Sequence, residues 1–273
     1  MKEAYEIFRK CFPDMPMTMD IFKELCEADR CILFKVRSGD KTVGFAMIKE
    51  NEIKLMCVLP EYQRMGYGHA LLEMSEGAAS DHGSSVTVGS PGSRLFIGSP
   101  ADTAGFFERF GYTFEEPVYA EMSGDTALLT APEYAPREDI HFEVRQADDI
   151  IRKAVAAVED DWVQFFDGGE VFCAVDGDRI ASFCIIEENA RCLISDGSTN
   201  VGVVGCVGTV PEYRRQGIGL ETVYLASMEL RRRGCGRIFI HYTHVYDWYA
   251  KIGFRTFLKL RIGGKQGKGS FPK

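Results

Sequence analysis

The sequence predicts two α/β domains of the same fold, joined by a short linker. The chain has 273 residues, and a domain commonly holds roughly 100–200 residues. Strand-like and helix-like stretches alternate in both halves, and one strand–turn–helix segment occurs twice, at residues 58–71 and 207–220. A glycine that ends a short helix also recurs, at Gly111 and Gly253. Duplication of one domain is the simplest explanation of both repeats.

The pattern of apolar residues predicts the elements of the first domain, residues 1–130. Apolar residues at helical spacing mark helices, and alternating or β-rich runs mark strands. The predicted helices are residues 3–11, 18–28, 69–79 and 103–109. The predicted strands are residues 31–36, 42–49, 52–59, 85–88 and 95–97, with further strand signal over 112–127. Residues 131–140 contain two prolines and no clear period, so they are predicted to be the linker.

The same reasoning applies to the second domain, residues 141–273. The predicted helices are residues 147–158, 161–166, 220–233 and 245–251. The predicted strands are residues 141–145, 170–175, 181–187, 201–210, 237–242 and 257–262, with residues 191–193 as an extension of the first hairpin. The glycine-rich tail at 263–269 is predicted to be disordered.

The second of the repeated segments combines features that bind anions. It is V-G-T-V-P-E-Y-R-R-Q-G-I-G-L, a strand followed by a glycine-bearing turn and a helix. The first turn of a helix has unpaired N–H groups, and the positive end of the helix dipole lies beside them. Gly217 and Gly219 have no Cβ, so a phosphate can approach the backbone closely. Arg214 would add a positive charge beside that phosphate.

The first segment, V-L-P-E-Y-Q-R-M-G-Y-G-H-A-L, repeats this design with Gln63, Gly66 and Gly68. Neither copy has the third glycine of the G-x-G-x-x-G dinucleotide fingerprint or the G-K-S/T of a P-loop. A tight strand-to-helix connection without a ligand is the other interpretation. The occurrence of two copies with the same proline, tyrosine and glycine spacing favours a binding loop.

Both copies closely resemble the pyrophosphate-binding motif of the GNAT superfamily of N-acyltransferases, Gln/Arg-x-x-Gly-x-Gly/Ala after a strand. The resemblance implies acyl-coenzyme A as the cofactor, with acetyl as the family default. It also implies a mixed, mostly antiparallel sheet flanked by helices in each domain, which splays after the motif strand and admits the pantetheine arm. The residues expected to bind coenzyme A are Val58, Gln63, Arg64, Gly66, Gly68, Val207, Gly208, Thr209, Val210, Arg214, Arg215, Gln216, Gly217, Ile218, Gly219 and Leu220. A backbone N–H near Val210 is expected to polarise the thioester carbonyl.

The resemblance also implies a general acid. In the family, a tyrosine four residues before the second recurring glycine often protonates the departing thiolate, and Tyr249 stands at that place. A phenol with a pKa near ~10 stays protonated at neutral pH and can donate. The other interpretation is a core tyrosine on an amphipathic helix. The first copy has Phe107 at the same place, and phenylalanine cannot donate a proton.

The sequence indicates the general base less specifically than the general acid. Residues 201–210 contain no carboxylate, so His241 and His244 are the best titratable candidates. Histidine, with a pKa near ~6.5, can accept a proton directly or through water. Packed or surface histidines, Asp247, Glu187 and a chain of waters remain alternatives.

Composition limits the partners. A net charge of −8 does not favour nonspecific binding to nucleic acid, and no apolar run reaches the roughly 20 residues of a membrane-spanning helix. The nine cysteines are scattered without a C-x-x-C pair, which predicts reduced thiols in a cytoplasmic protein and no metal site. The N-terminus lacks the apolar core of a secretory signal.

These observations together predict an N-acetyltransferase. It would move an acetyl group from acetyl-coenzyme A to a primary amine of a small molecule or peptide by direct attack, in the second domain. The protein would be a monomer or a homodimer. One alternative is a non-catalytic acyl-coenzyme A-binding or regulatory protein in which neither domain turns over. Another is a first domain that is purely structural and shapes the acceptor site of the second.

Overall fold

The computed structural model describes residues 1–28, 30–79, 85–93, 95–133 and 138–266. Residues 134–137 of the predicted linker and residues 267–269 of the predicted tail lie outside this set. Helices α1 to α7 are Lys2–Cys11, Met19–Ala28, Tyr67–Ala79, Ala104–Glu108, Asp149–Ala156, Ile218–Arg232 and Tyr246–Ala250. Strands β1 to β14 are Ile32–Ser38, Lys41–Lys49, Glu52–Val58, Ser85–Val88, Ser99–Pro100, Thr113–Phe114, Tyr119–Asp125, Ile140–Gln146, Glu170–Asp176, Arg179–Glu187, Asn200–Thr209, Cys235–Thr243, Arg255–Arg261 and Gly263–Gln266. Short 3-10 helices cover Pro60–Tyr62, Asp160–Phe166 and Pro211–Tyr213.

The predicted fold class is confirmed, because these elements form two mixed, mostly antiparallel sheets with helices packed on them. The chain divides into two compact units that interleave along the sequence. The first unit holds residues 1–120, 192–196 and 258–273, and the second holds residues 121–191 and 197–257. The predicted domain boundaries describe two continuous segments, whereas each compact unit also contains short pieces from the other half of the chain.

The first unit contains a sheet in the order β1-β2-β3-β4-β14-β6. Strands β1, β2 and β3 pair antiparallel, and β3 then pairs parallel with β4 over two positions, Glu52↔Thr87 and Ile53↔Val88. Strand β14 pairs antiparallel with β4 on one side and with β6 on the other. Residues 263–266, far from β4 and β6 in the sequence, therefore supply an interior strand to the sheet of the first unit.

The strands of the second unit follow the order β7-β12-β11-β10-β9-β8. Strands β8 to β11 pair antiparallel, and β11 pairs parallel with β12 from Asn200↔Cys235 to Val203↔Phe239. Beyond that position β11 continues to Thr209 without pairing with β12. The sheet thus splays after Val203, as the resemblance to the GNAT motif implies.

Some predicted elements were wrong. Residues 95–97 form no strand. They are a buried apolar run, with the side chains 3% exposed or less, and burial produces the same apolar pattern as strand pairing. Residues 191–193 are also not a strand. The signal over 112–127 divides into β6 and β7 around Pro117, which has no N–H for a ladder. Residues 263–266, predicted to be disordered, form β14.

Each unit has its own core, and the cores fix the helices that follow the glycine loops. In the first unit, Leu72 of α3 packs with Ile53 and Phe107. In the second unit, α6 buries a stripe of apolar residues that runs along most of the helix: Ile218, Leu220, Val223, Ala226 and Leu230. Because burial of an apolar stripe is what holds a helix in place, the position of each loop follows from the core beneath its helix. None of the helices in the described parts of the chain is long and apolar enough to cross a membrane.

Candidate functional site

The two glycine loops share one backbone conformation. Each begins with a 3-10 turn, after which an arginine and then a glycine adopt positive φ angles. These angles are 61° at both Arg64 and Arg215, 90° at Gly66 and 83° at Gly217. A non-glycine residue at positive φ is uncommon, so the same departure in both loops shows that the repeat seen in the sequence extends to the local geometry.

Helix α6 begins directly at the second loop and presents an open N-terminus. Gly217 is its N-cap residue and makes no side-chain hydrogen bond to the first turn. A Cβ atom added to Gly217 would have no described heavy atom within 4 Å. Helix α6 therefore presents the positive end of its dipole to open space at Gly217, which is an arrangement that binds a phosphate. Gly66 in the first loop is equally open.

The second glycine of the motif has a different role. A Cβ atom on Gly219 would lie 2.4 Å from Thr209 Oγ1 and 3.5 Å from the ring of Trp248. The Thr209 hydroxyl is itself 3.2 Å from the Ser182 hydroxyl. Gly219 is therefore required for the close approach of the helix to the end of β11, which sets the distance between the loop and the motif strand.

Strand β11 carries a β-bulge near its end. Two of its residues, Cys206 and Val207, together face a single residue, Cys184, of β10, and Cys206 has a φ of 46°. A bulge bends its strand and leaves the extra residue outside the regular ladder. Because β11 has already separated from β12 at Val203, the bulge lies on a stretch of strand whose other edge is not paired with β12.

The sequence predicts a thioester-polarising backbone N–H near Val210. The N–H of Val210 itself donates to the Ala181 carbonyl at 3.0 Å, so it is occupied within the sheet. The bulge at Cys206 and Val207 interrupts the regular ladder between β10 and β11.

Tyr249 lies on α7 and is buried, with 5% of its surface exposed. Its ring packs edge-on against Trp248, with centroids 4.8 Å apart, and contacts Phe254 at 6.1 Å. Burial raises the pKa of Tyr249 well above its ordinary value, and the neighbouring Cys184 and Cys206 thiols raise it further. The phenol therefore stays protonated at neutral pH.

His241 lies on β12 and contacts a carboxylate that sequence reasoning missed. His241 Nδ1 is 2.9 Å from Glu121 Oε2, and the Glu121 side chain is fully buried on β7. The signal for this residue in the sequence is a lone carboxylate between Ala120 and Met122 in a strand-like run. The other histidine candidate, His244, is exposed just after the end of β12.

The corresponding region of the first unit is filled by aromatic rings. A Cβ atom on Gly68 would lie 3.2 Å from the Phe106 ring, and Phe106 packs against Phe107 and Phe110 at 5.1 and 5.2 Å. Phe107 is buried and has no hydroxyl group. The two units therefore share the loop but differ in the residues around it.

No group of three or more His, Cys, Asp or Glu side chains in the described residues is arranged to hold a metal ion. The nine cysteines form no disulfide.

Comparison with known proteins agrees with the duplicated architecture. Residues 6–122 match the family described as "Acetyltransferase (GNAT) domain", and residues 133–254 match the "Acetyltransferase (GNAT) family". The chain belongs to the GNAT acetyltransferase family. It therefore holds two GNAT domains in tandem, and members of this family act as N-acetyltransferases that generally use acyl-coenzyme A.

Solved structures of GNAT proteins have the same fold. A GCN5-related glucosamine N-acetyltransferase region of a fungal multi-domain GH3 β-N-acetylglucosaminidase is 20% identical, with a TM-score of 0.73 over 95% of this chain and 36% of that one. A GCN5-related N-acetyltransferase from Sphaerobacter thermophilus is 16% identical, with a TM-score of 0.65 over 96% and 90% of the two chains. A tandem GNAT protein from the clavulanic acid biosynthesis pathway is 14% identical, with a TM-score of 0.58 over 90% and 89%. This chain thus spans about a third of the length of the fungal protein. No curated protein matches it significantly.

Proposed function

We propose that this GNAT protein transfers an acetyl group from acetyl-coenzyme A to a primary amine, and that the reaction takes place in the second unit. One observation supports this most strongly. An open glycine loop, a bulged strand end and a buried, protonated tyrosine occur together in that unit. The Cys206 thiol at the bulge contributes to the raised pKa of Tyr249, and the loop follows the same strand by a few residues.

The loop and the motif strand would hold the cofactor. The loop between Arg214 and Leu220 fits a pyrophosphate, since the space next to Gly217 is open and a helix begins there. The N–H groups of Arg214 and Leu220 already donate to the Pro211 and Gly217 carbonyls, so the donors would lie between them. The backbone of residues 207–209 would pair with the pantetheine arm along the splayed edge, whereas both backbone groups of Val210 are already hydrogen-bonded. A backbone N–H at the bulge would polarise the thioester carbonyl.

The chemistry then needs one proton acceptor and one proton donor. The amine attacks the thioester carbon, so a C–N bond forms and the C–S bond breaks. His241 accepts the proton that the attacking nitrogen loses, and His244 is the second candidate for this role. Tyr249 gives a proton to the departing thiolate, and burial keeps the phenol protonated at neutral pH.

Direct attack is favoured over an acyl-cysteine intermediate. The thiolate is the nucleophilic form of cysteine, and burial raises the pKa of Cys206 to about 11 and that of Cys184 well above its ordinary value. Both thiols beside Tyr249 are therefore held in their weakly nucleophilic form at neutral pH.

The first unit is proposed to bind coenzyme A as well, through Val58, Gln63, Arg64, Gly66 and Gly68, without catalysing transfer. The shared loop conformation supports binding, and the absence of a hydroxyl at Phe107 argues against turnover. In the non-catalytic alternative, both units bind acyl-coenzyme A and neither catalyses transfer. It differs from this proposal only in the second unit, which would bind the cofactor without turnover. Cysteines that form no disulfide fit a reducing compartment, and the cytoplasm is the location that we propose.

A thiol-release assay tests this function. The protein is incubated with acetyl-coenzyme A and separate panels of amino acids, polyamines, peptides and amino sugars. Amino sugars are included because the fungal structural relative is described as a glucosamine N-acetyltransferase. Acceptor-dependent release of coenzyme A supports the proposal. Tight binding of acetyl-coenzyme A with no release for any acceptor would instead favour the non-catalytic alternative.

A further inference from the structure

We infer that Glu121 is a positioning residue that holds His241 in a single tautomer, with the proton on Nδ1 and the acceptor lone pair on Nε2. The inference rests on the proposed function only where it takes His241 as the general base. The hydrogen bond between Glu121 and the imidazole follows from the structure alone.

The geometry of the pair is specific. Glu121 Oε2 lies 2.9 Å from His241 Nδ1, which is a normal hydrogen-bond distance. The Glu121 side chain is fully buried, whereas 31% of the His241 side chain is exposed. One partner is thus sealed inside the second unit while the other reaches the surface of that unit, so a proton taken up by His241 can exchange with the outside.

Burial of the Glu121 carboxylate is not explained by a set of hydrogen bonds that satisfies it. Its second oxygen, Oε1, has no hydrogen-bond partner among the described residues, although buried carboxylates are normally satisfied by several donors because burial of an unpaired charge is costly. The flanking residues Ala120 and Met122 are buried and apolar. An apolar side chain at position 121 would avoid this cost, and the contact with His241 is the hydrogen bond that the structure shows for Glu121.

The chemistry of the contact follows from the acceptor-only nature of a carboxylate. An ionised Glu121 can only accept, so the hydrogen bond requires a proton on His241 Nδ1. The remaining ring nitrogen, Nε2, then carries the lone pair of the neutral ring. When Nε2 takes a proton from the attacking amine, the adjacent carboxylate stabilises the imidazolium that forms.

The ring of His241 is also restrained by its neighbours. Its centroid lies 5.7 Å from that of Phe239 on the same strand, and Phe239 in turn contacts Phe257 at 6.2 Å. These apolar rings lower the local dielectric, which strengthens the bond to the carboxylate.

The two residues come from different GNAT domains of the chain. Glu121 falls within the matched segment 6–122 and His241 within the segment 133–254, and both lie in the second compact unit. The first domain therefore completes the candidate site of the second by supplying β7. This gives the tandem arrangement a chemical consequence beyond the repetition of a fold.

The test uses the full-length protein labelled with ¹⁵N at histidine. Three variants are compared with the parent. Glu121→Met removes the acceptor at similar volume, Glu121→Gln keeps an amide oxygen that can accept the same hydrogen bond, and Glu143→Gln is the matched control. Glu143 also lies on a strand of the second unit near a histidine, His141, at 3.8 Å, but at the surface. Thermal unfolding verifies that each variant is folded.

We expect the ¹⁵N shifts of neutral His241 in the parent to show a protonated Nδ1. Glu121→Met should shift the ring toward the Nε2–H form and lower kcat by about 100-fold, at the lower end of what general base catalysis contributes, with an unchanged KM for acetyl-coenzyme A. Glu121→Gln should keep the Nδ1–H form with a smaller loss of kcat, and Glu143→Gln should match the parent. If Glu121→Met does not fold, the parent spectrum and Glu121→Gln still decide the question.

A parent spectrum that shows the Nε2–H form would overturn the inference. So would a folded Glu121→Met protein with the tautomer and kcat of the parent. The base role is tested separately by His241→Gln. Full activity of that variant, together with a tautomer that switches in Glu121→Met, would reject the proposed base while leaving the hold of Glu121 on His241 in place.

Discussion

Gln63 and Arg214 occupy the same place in the two glycine loops. Each side chain donates a hydrogen bond to the backbone carbonyl of the last residue of the preceding strand. Gln63 Nε2 donates to the Val58 carbonyl at 3.1 Å, and Arg214 Nε donates to the Thr209 carbonyl at 3.0 Å. The two side chains therefore brace their loops in the same way. They differ in charge, and this difference allows the effect of charge on phosphate binding to be separated from the effect of the brace.

We expect coenzyme A to bind more tightly to the second loop than to the first. Charge-assisted hydrogen bonds are roughly twice as strong as neutral ones. Arg214→Gln should keep the brace but weaken the tighter site about fivefold, since the net difference between a charged and a neutral hydrogen bond is about 1 kcal/mol. Gln63→Arg should strengthen the weaker site. Isothermal titration of the full-length protein measures both, and equal affinities in the parent would count against the role of Arg214.

Gly217→Ala should weaken coenzyme A binding strongly while the protein remains folded. The residue has a φ of 83°, and an L side chain in this region costs roughly 1–2 kcal/mol. The added methyl group also occupies the space where the phosphate would approach the backbone.

The matched control for that variant is Gly177→Ala. Gly177 has a φ of 57° and, like Gly217, no described heavy atom within 4 Å of an added Cβ, but it lies in the turn between β9 and β10. Both variants should lose similar amounts of stability, as measured by urea unfolding. Equal coenzyme A affinities for the two variants would show that the second loop is not the phosphate site.

Tyr249→Phe should lower turnover by about 10²–10⁴-fold, the usual contribution of general acid catalysis. The substitution keeps the ring packed against Trp248 and Phe254, so cofactor affinity and stability at neutral pH should change little. Thiol release with any acceptor used by the parent measures the effect. Phe107→Tyr is the reciprocal variant in the first unit and should not create comparable activity. Undiminished turnover in Tyr249→Phe would exclude the acid role.

The stability of the protein at alkaline pH should depend on the same hydroxyl group. Burial raises the pKa of Tyr249 in the folded state above its ordinary value of 10.0. The folded state therefore holds the proton more tightly than the unfolded state, and the stability that this provides is present below pH 10 and is lost as the pH rises above it. Tyr249→Phe should lose less stability than the parent between pH 10 and 11 in urea unfolding. An identical pH dependence would show that Tyr249 is not desolvated as the structure indicates.

Gly263→Ala should destabilise the first unit. A Cβ atom on Gly263 would lie 2.5 Å from the Phe114 ring and 2.6 Å from the Thr113 carbonyl, so β14 could not stay beside β6 without a shift. We expect a loss of about 1–3 kcal/mol, as in other overpacked sites, and faster hydrogen exchange in β4 and β6. Gly77→Ala is the control, since this position on α3 is open and alanine favours a helix. Unchanged exchange in β4 and β6 would mean that β14 contributes little to the sheet.

The local elements of the fold could be predicted from the sequence because they depend on local chemistry. The glycine loops were predicted from the spacing of proline, tyrosine and glycine, and the structure gives both loops the same positive φ angles. The helices after the loops were predicted from the apolar stripe that α6 buries, of which Leu220 and Val223 are part. The asymmetry between Tyr249 and Phe107 was likewise visible in the sequence, since it depends only on which residue stands before the recurring glycine.

The contacts between distant parts of the chain could be decided only by the tertiary structure. Glycine-rich residues 263–266 become a strand because β4 and β6 accept their hydrogen bonds, and nothing in their own composition favours that state. Glu121 and His241 are 120 residues apart, and they meet because β7 lies next to β12. Propensity and periodicity describe how a segment folds by itself, whereas strand order is set by the free energy of pairing and burial across the whole sheet. For this protein the sequence alone thus determined the family, the two glycine loops and the difference between Tyr249 and Phe107. The tertiary structure decided that the carboxylate of Glu121 lies beside His241.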